Sequence, residues 1–495
     1  MKIAVIGSGI AGLSAAWKLS GRHRVVLFEA EERLGGHTHT VDIVLEGRSQ
    51  PVDTGFLVYN ERTYPLLIAL FEQLGVPVAP SDMSFSVSRG PHQLEWCGAS
   101  VASLFAQRSN LLSPRFWGML RDIVRFNRQA SALAEVMLHR DRSDNGGNGY
   151  VRTAESVGSV GSVASAESVE SVESVRPTES VRPAESVGTA GSAKSAGLVF
   201  GHRSLDTALD VFLRDEGYGE AFASDYLLPM AAAIWSCPMR QMREFPVGTF
   251  VRFFHNHGLL QIANRPRWYT VRGGARQYVE RMAQQIGDIR LGTPVVSVEA
   301  RQDAMRPLCL TTRFGEERFD AAVLACHSDQ SLRLLRHARP AQREILKAIR
   351  YQANRAWLHT DSALMPRARQ AWAAWNYLSN RVRVQDRSDD GFAVSVTYWL
   401  NRLQPLQVQT PVFVSLNPLR EPGPETVLKV IDYAHPVLDL QAVGAQRRLH
   451  AIQGVDGIWL AGAWTGYGFH EDGLRSGLAV AQAIEGASSS MALAA

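Results

Sequence analysis

The sequence predicts an α/β chain of two interleaved domains, one built on a parallel βαβ unit and one of mixed sheet backed by helices. Three observations predict it. Gly7, Gly9 and Gly12 lie between an apolar run at 2–6 and a helical pattern from about Ala11 to Leu19. The β-α-β period stops after a second apolar run at 24–29. An apolar run at 457–461 and a helical pattern at 473–484 then close the chain much as it began.

The intervening elements follow from periodicity. Residues 64–138 read as mostly helical, with Phe116, Leu120, Ile123 and Val124 at helical spacing. Arg108, Arg115, Arg121, Arg125 and Arg128 punctuate this stretch, with only Asp122 nearby. That pattern suits a solvated helix face, or a basic amphipathic helix lying on anionic lipid. From about 141 to 199 the chain is low in complexity, with Glu-Ser-Val starting at 155, 167, 170, 173, 179 and 185. It carries too little apolar surface to offset its ordering entropy, and reads as a disordered insertion without a catalytic role. Strands are expected at 290–298, 318–325, 394–400 and 412–416.

The 495 residues, 45% hydrophobic, can bury two cores or more, since domains run roughly 100–200 residues. The formal net charge is +4, which gives no nucleic-acid footprint without a clustered basic face. Cys97, Cys237, Cys309 and Cys326 form no CxxC and no metal-ligand spacing. No metal is expected, and the sparse thiols suit a reducing compartment. The apolar start at 1–6 is too short for a signal core, and no apolar run reaches the roughly 18 residues of a membrane span. The expectation is a cytoplasmic protein that can touch the inner face of a membrane peripherally.

Gly7-Ser8-Gly9-Ile10-Ala11-Gly12 is a GxGxxG loop in the required strand-turn-helix context. The first glycine permits the tight turn, the second admits a pyrophosphate, and the third lets helix pack on strand. Glu29 ends the second strand and can accept from ribose hydroxyls, its charge disfavouring a 2′-phosphate. Ala30 follows, then Arg33-Leu34-Gly35-Gly36-His37-Thr38, whose paired glycines can fold a second loop over the diphosphate. Asp53-Thr54-Gly55-Phe56 comes soon after. Far along the chain lie Ala461-Gly462-Ala463 and Gly468-Phe469-His470-Glu471-Asp472-Gly473-Leu474.

On these residues the chain resembles the flavin-containing amine oxidoreductase superfamily, which includes monoamine oxidases, protoporphyrinogen oxidases and phytoene desaturases. More narrowly it is similar to a bacterial subgroup of NAD/FAD-binding proteins, related to the flavin domain of plant cyclopropane-fatty-acid synthases. Phrases such as Ala233-Ile234-Trp235-Ser236, Asn256-His257-Gly258 and Trp375-Asn376-Tyr377 carry the narrower likeness. The resemblance implies FAD, and no Cys in these motifs means non-covalent binding. It implies that Gly7, Gly9, Ile10, Ala11, Gly12, Glu29, Ala30, Arg33, Gly35, Gly36, His37, Thr38, Gly55, Phe56, Gly462, Asp472, Gly473 and Leu474 line the cofactor, with Val295 on the strand beside adenine. The Rossmann-like FAD domain is expected from 1–63, 271–330 and 441–486. The substrate domain is expected from 64–140, 200–270 and 331–440, with a disordered tail at 487–495.

The chemistry expected is hydride transfer from an apolar substrate, fatty-acyl or polyene, by dehydrogenation, desaturation or double-bond isomerisation. Such transfer needs positioning and water exclusion more than a strong base. Candidates near the reaction are His470, Glu471, Asn354, Trp375 and Tyr377. Trp235, Trp268, Tyr269, Trp372, Tyr398 and Trp399 complete an aromatic set that favours an apolar ligand. The amine oxidases of the superfamily carry a lysine where this chain has Asn354 or Arg355, and Ala-Gly-Glu where it has Ala461-Gly462-Ala463. Two rivals stand beside the leading reading: an amine oxidase making hydrogen peroxide, and a non-catalytic flavoprotein partner of a fatty-acyl methyltransferase.

Overall fold

The N-terminal strand forms the middle of a five-stranded parallel sheet. Its order is Asp288–Arg290, Arg24–Phe28, Lys2–Ile6, Ala321–Leu324 and Ile458–Leu460. Lys2–Ile6 is buried along its whole length, as a parallel strand covered on both faces must be. Helix Ile10–Ser20 follows and packs on helix His470–Ala494. A Cβ on Gly477 would lie 2.2 Å from the Ala11 carbonyl oxygen, and one on Gly473 2.7 Å from Ile10 Cγ2. Only glycine allows the two ends of the chain to meet this closely.

The computed structural model describes residues 1–90, 94–144, 205–235, 239–261, 265–301, 306–381 and 392–494. The described residues of 1–138 and 205–495 form one compact unit. Of the insertion expected at 141–199, residues 141–144 continue helix Pro114–Asp144 instead, and 145–199 lie outside the described residues. None of the described helices is long and apolar enough to cross a membrane.

The second large sheet has seven strands, ordered Val427–Val437, Arg350–His359, Phe413–Leu416, Phe392–Trp399, Trp375–Arg381, Phe85–Arg89 and Leu94–Cys97. All neighbours are antiparallel except Trp375–Arg381 with Phe85–Arg89. Directly opposed residues share a face, and alternate residues along a strand return to it. The register therefore places His435, Tyr433, Asn354, Ala356, Leu416, Val396, Tyr398, Trp375, Tyr377, Val87 and Arg89 on one side.

Several expectations change. The strand expected at 290–298 is two, Asp288–Arg290 and Val295–Ala300, because the chain turns at Gly292 with φ 54° and enters a separate antiparallel meander. The strand expected at 318–325 likewise divides between two sheets at Asp320, whose N–H bonds to the Lys2 carbonyl. Apolar runs do not reveal a change of sheet. The mostly helical stretch contains strands Val78–Ser81, Phe85–Arg89 and Leu94–Cys97; Phe85-Ser86-Val87-Ser88 already alternates with period two. The tail expected at 487–495 continues as helix to Ala494.

Candidate active site

The glycine loop is built as its sequence requires. Gly7 has φ 99°, and a Cβ on Gly12 would lie 1.8 Å from the Gly7 carbonyl oxygen. Gly9 differs: a Cβ there would meet no protein atom within 4 Å. Gly9 also precedes a helix with no side-chain cap and no acid in its first turn. Open space beside uncapped N–H groups at the positive end of a helix is a site for an anion.

The second loop closes over the first. Gly35 N–H donates to Ser8 O at 3.1 Å, and a Cβ on Gly36 would stand 3.1 Å from Gly9 Cα. Arg33 Nη1 bonds the Gly36 carbonyl at 2.9 Å and Nη2 pairs with Glu31 at 3.0 Å, so this guanidinium holds the loop's own shape. Glu29 accepts from Ser8 N–H at 2.8 Å, Ser8 Oγ at 2.5 Å and Glu31 N–H at 2.9 Å. A carboxylate offers about four acceptor positions, so Glu29 retains capacity for a further hydroxyl. Ala30 is exposed beside it. Val295 begins its strand two residues after Thr293, whose N–H bonds to Glu29 O at 2.8 Å.

Gly55 fits against His37, where a Cβ would lie 2.1 Å from the His37 carbonyl oxygen; that oxygen accepts from Phe56 N–H at 3.0 Å. The Phe56 ring stacks on His470 with centroids 3.9 Å apart. Tyr278 OH lies 2.5 Å from Thr38 Oγ1 and 2.7 Å from His470 Nε2. Burial lowers the His470 pKa to about 3, so this ring is neutral at ordinary pH.

The closing turn differs from expectation. Its helix starts at His470, three residues earlier than anticipated. Asp472 accepts from Tyr467 N–H at 3.1 Å and Phe469 N–H at 3.0 Å, capping the turn from inside the helix. The free N–H end therefore falls at His470–Glu471. Gly473 N–H bonds to Phe469 O, and Leu474 lies fully buried in the core. Glu471 accepts from Leu66 N–H at 2.9 Å and Leu67 N–H at 3.0 Å. Its carboxylate caps helix Pro65–Leu74. Gly462 N–H donates to Ser476 Oγ at 2.9 Å.

A cluster of rings joins the paired-glycine loop to the seven-stranded sheet. His37 stacks on Tyr433 at 5.0 Å, with His435 at 5.2 Å and His327 at 6.4 Å. His37 Nε2 is buried without a partner, an orphaned polar atom that a cofactor oxygen would satisfy. Tyr433 OH reaches Thr54 Oγ1 at 2.9 Å. Asn354 donates to His435 Nδ1 at 2.7 Å and accepts from Asn417 Nδ2 at 2.7 Å. Of the two residues at the superfamily's lysine position, Asn354 faces inward and Arg355 pairs with Asp432 on the exposed side. Burial first, then the neighbouring His327, hold the His435 pKa near 4.

The aromatic set divides. Trp375, Tyr377 and Tyr398 lie on the inward face, with Trp375 edge-on to Tyr398 at 4.8 Å. Trp372 and Trp399 pack together at 5.3 Å on the other face. Trp268 and Tyr269 belong to a small sheet beside Tyr59, and Trp235 packs on Phe253 at 4.5 Å. Motif reading missed Ser8, Tyr278, Tyr433, His435 and His327. One thiol adjoins the cradle, Cys326, whose N would lie 3.5 Å from a Gly7 Cβ. Burial pushes its pKa up to about 11, leaving a poor nucleophile.

An uncapped helix beneath two glycine loops, closed by a second helix from the C-terminus, defines a flavoprotein oxidoreductase that binds FAD. The chain belongs to the flavin containing amine oxidoreductase family, which it matches over residues 10–394. Among solved structures it is similar to a CLA-producing fatty acid isomerase from P. acnes, at 13% identity and TM-score 0.57, covering 98% of this chain and 97% of that one. Putrescine oxidase bound to putrescine shares 15% identity at TM-score 0.58, covering 98% and 99%. Cyclohexylamine oxidase from Brevibacterium oxydans IH-35A shares 16% at TM-score 0.56, with the same coverage. These likenesses show the fold. No curated protein matches the chain in sequence.

Proposed function

We propose that this FAD-dependent enzyme acts on an apolar chain, fatty-acyl or polyene, by dehydrogenation, desaturation or double-bond isomerisation. The observation that carries this reading is the inward face of the seven-stranded sheet. From His435 and Asn354 it runs through Ala356, Leu416, Val396 and Tyr377 to Val87, and among its described residues none is Asp or Glu. An ammonium-bearing substrate would find no carboxylate on this wall, and burying it unpaired is costly.

When bound, FAD supplies the hydride-accepting ring. The chain's own residues exclude water and fix orientation. Asn354 holds Nδ1 of His435 as an acceptor, so the ring's proton sits on Nε2, and at neutral pH that ring offers a hydrogen bond without a charge. The stretch of this face from His435 to Val87, uncharged at neutral pH, suits transfer from C–H without general-acid help.

The test is anaerobic mixing of the yellow protein with free fatty acids, phospholipids and polyenes, watching the visible flavin band and analysing products by mass spectrometry. Bleaching, or an isomerised product without bleaching, is expected with at least one acyl or polyene compound. Bleaching confined to polyamines and arylamines mixed in the same way, with oxygen uptake once air is admitted, would reverse the assignment.

A further inference from the structure

We infer that the surface from Val101 to Arg128 docks the protein on an anionic lipid bilayer. Five large apolar side chains stand out of it: Val101 is 75% exposed, Leu111 48%, Leu112 88%, Trp117 50% and Val124 56%. They belong to one surface. Trp117 Nε1 donates to the Leu111 carbonyl at 2.9 Å, seating the indole against the turn Arg108–Leu112. Along helix Pro114–Asp144, Trp117, Arg121, Val124 and Arg128 recur at i, i+4, i+7 and i+11, a single outward stripe. The opposite face of that helix, with Phe116, Met119, Phe126, Ala130 and Leu133, is buried in the protein.

Charge selects the occupant. Between Gly98 and Ala134 the sequence holds five arginines and one acid, Asp122. Asp122 is 4% exposed, accepts from Gly219 N–H at 2.9 Å, and lies 3.8 Å from Arg121 Nε and 3.7 Å from Arg125 Nε, a single carboxylate shared between two guanidinium groups. Arg115 is bound to Asp225 at 2.7 Å, and Arg125 lies 3.9 Å over the Tyr218 ring. Arg108, Arg121 and Arg128 are exposed beside the apolar groups. An aromatic ring, protruding leucines and cationic heads on one face are what an interfacial helix presents to acidic headgroups. A polyphosphate would leave Leu112 in water. The inference holds whichever substrate the enzyme turns over.

The experiment uses full-length flavin-loaded protein and pelleting with vesicles of phosphatidylcholine, with and without phosphatidylglycerol. Binding should require phosphatidylglycerol and fade as added salt shortens the Debye length. Arg121→Gln with Arg128→Gln should weaken partitioning about 25-fold, at about fivefold per arginine. Leu112→Glu should weaken it independently, and all variants should keep the wild-type flavin content. Equal pelleting with neutral vesicles, no pelleting at all, or undiminished pelleting of the double variant would each overturn the inference. So would a concentration-dependent dimer dispersed by the same substitutions, since the patch would then face a second copy.

Discussion

Glu471 ties the closing helix to helix Pro65–Leu74, and its charge state sets the strength of that tie. The residue is 3% exposed. Burial pushes its pKa up from 4.5 to about 7, against the Leu66 and Leu67 N–H donors and Arg475, while Asp472 adds to the rise. The folded protein therefore holds this proton more tightly than the unfolded chain does. A carboxyl raised in this way contributes its full stability below pH 4.5 and loses it as pH climbs through about 7. At about 1.4 kcal/mol per tenfold change in proton affinity, the rise amounts to about 3 kcal/mol, most of which disappears between pH 5 and pH 8. Glu471→Gln keeps the shape and removes the titration. Urea unfolding of both proteins at the two pH values isolates this group, because the others cancel in the difference. The stability of wild type relative to the variant should fall by roughly 2–3 kcal/mol from pH 5 to pH 8. A difference that stays constant with pH would refute the assignment of a buried, proton-retaining carboxyl.

Gly9→Ala should lose bound flavin, read as visible absorbance against protein, yet unfold at the temperature of flavin-free wild type, since its Cβ meets no protein atom. A fully yellow Gly9→Ala protein would falsify the cradle. Gly12→Ala, with a Cβ 1.8 Å from Gly7 O, should lose both flavin and stability. Asn354→Ala strands His435 Nδ1 and the Asn417 amide, and should lower stability by about 1–3 kcal/mol in chemical denaturation; an unchanged midpoint would mean that water replaces the amide without loss. Truncation after residue 455 removes strand Ile458–Leu460 and helix His470–Ala494 and should purify colourless, the yellow truncation being the contrary result.

The cradle was legible because each of its glycines answers a local demand. A tight turn, a phosphate approach and a close helix contact are all met within a few residues of sequence. The C-terminal turn was legible as a motif, but its helix start was misplaced, because Asp472 reaches back to Tyr467 and Phe469 and starts the helix early. Tyr278, Tyr433 and His435 carried no such mark. They reach the cradle from strands and helices hundreds of residues away, and only sheet register and tertiary packing bring them there. Asn354 and Arg355 could not be separated in sequence for the same reason: one step of register exchanges the inward and outward faces.

That sensitivity to register gives the back of the seven-stranded sheet its importance. There Ser415, Thr397, Asn376 and Ser86 are directly opposed across four strands, each 0% exposed. Thr397 Oγ1 and Ser415 Oγ lie 2.7 Å apart, Asn376 donates to Thr397 O at 3.0 Å, and Ser86 donates to Asn376 at 2.8 Å. His359 adds Nε2 to Ser415 at 2.8 Å, while its Nδ1 accepts from Asp361 N–H at 3.0 Å. A slip of one residue in any of these strands would bury several polar groups unpaired, at about 1–3 kcal/mol each. The front face carries mostly Val, Leu, Ala and aromatic groups, which would tolerate such a slip far better. The polar row behind therefore fixes the register that keeps Asn354, Trp375 and Tyr377 on the inward face. Asn376, between two of these candidates in sequence, does its work on the opposite side.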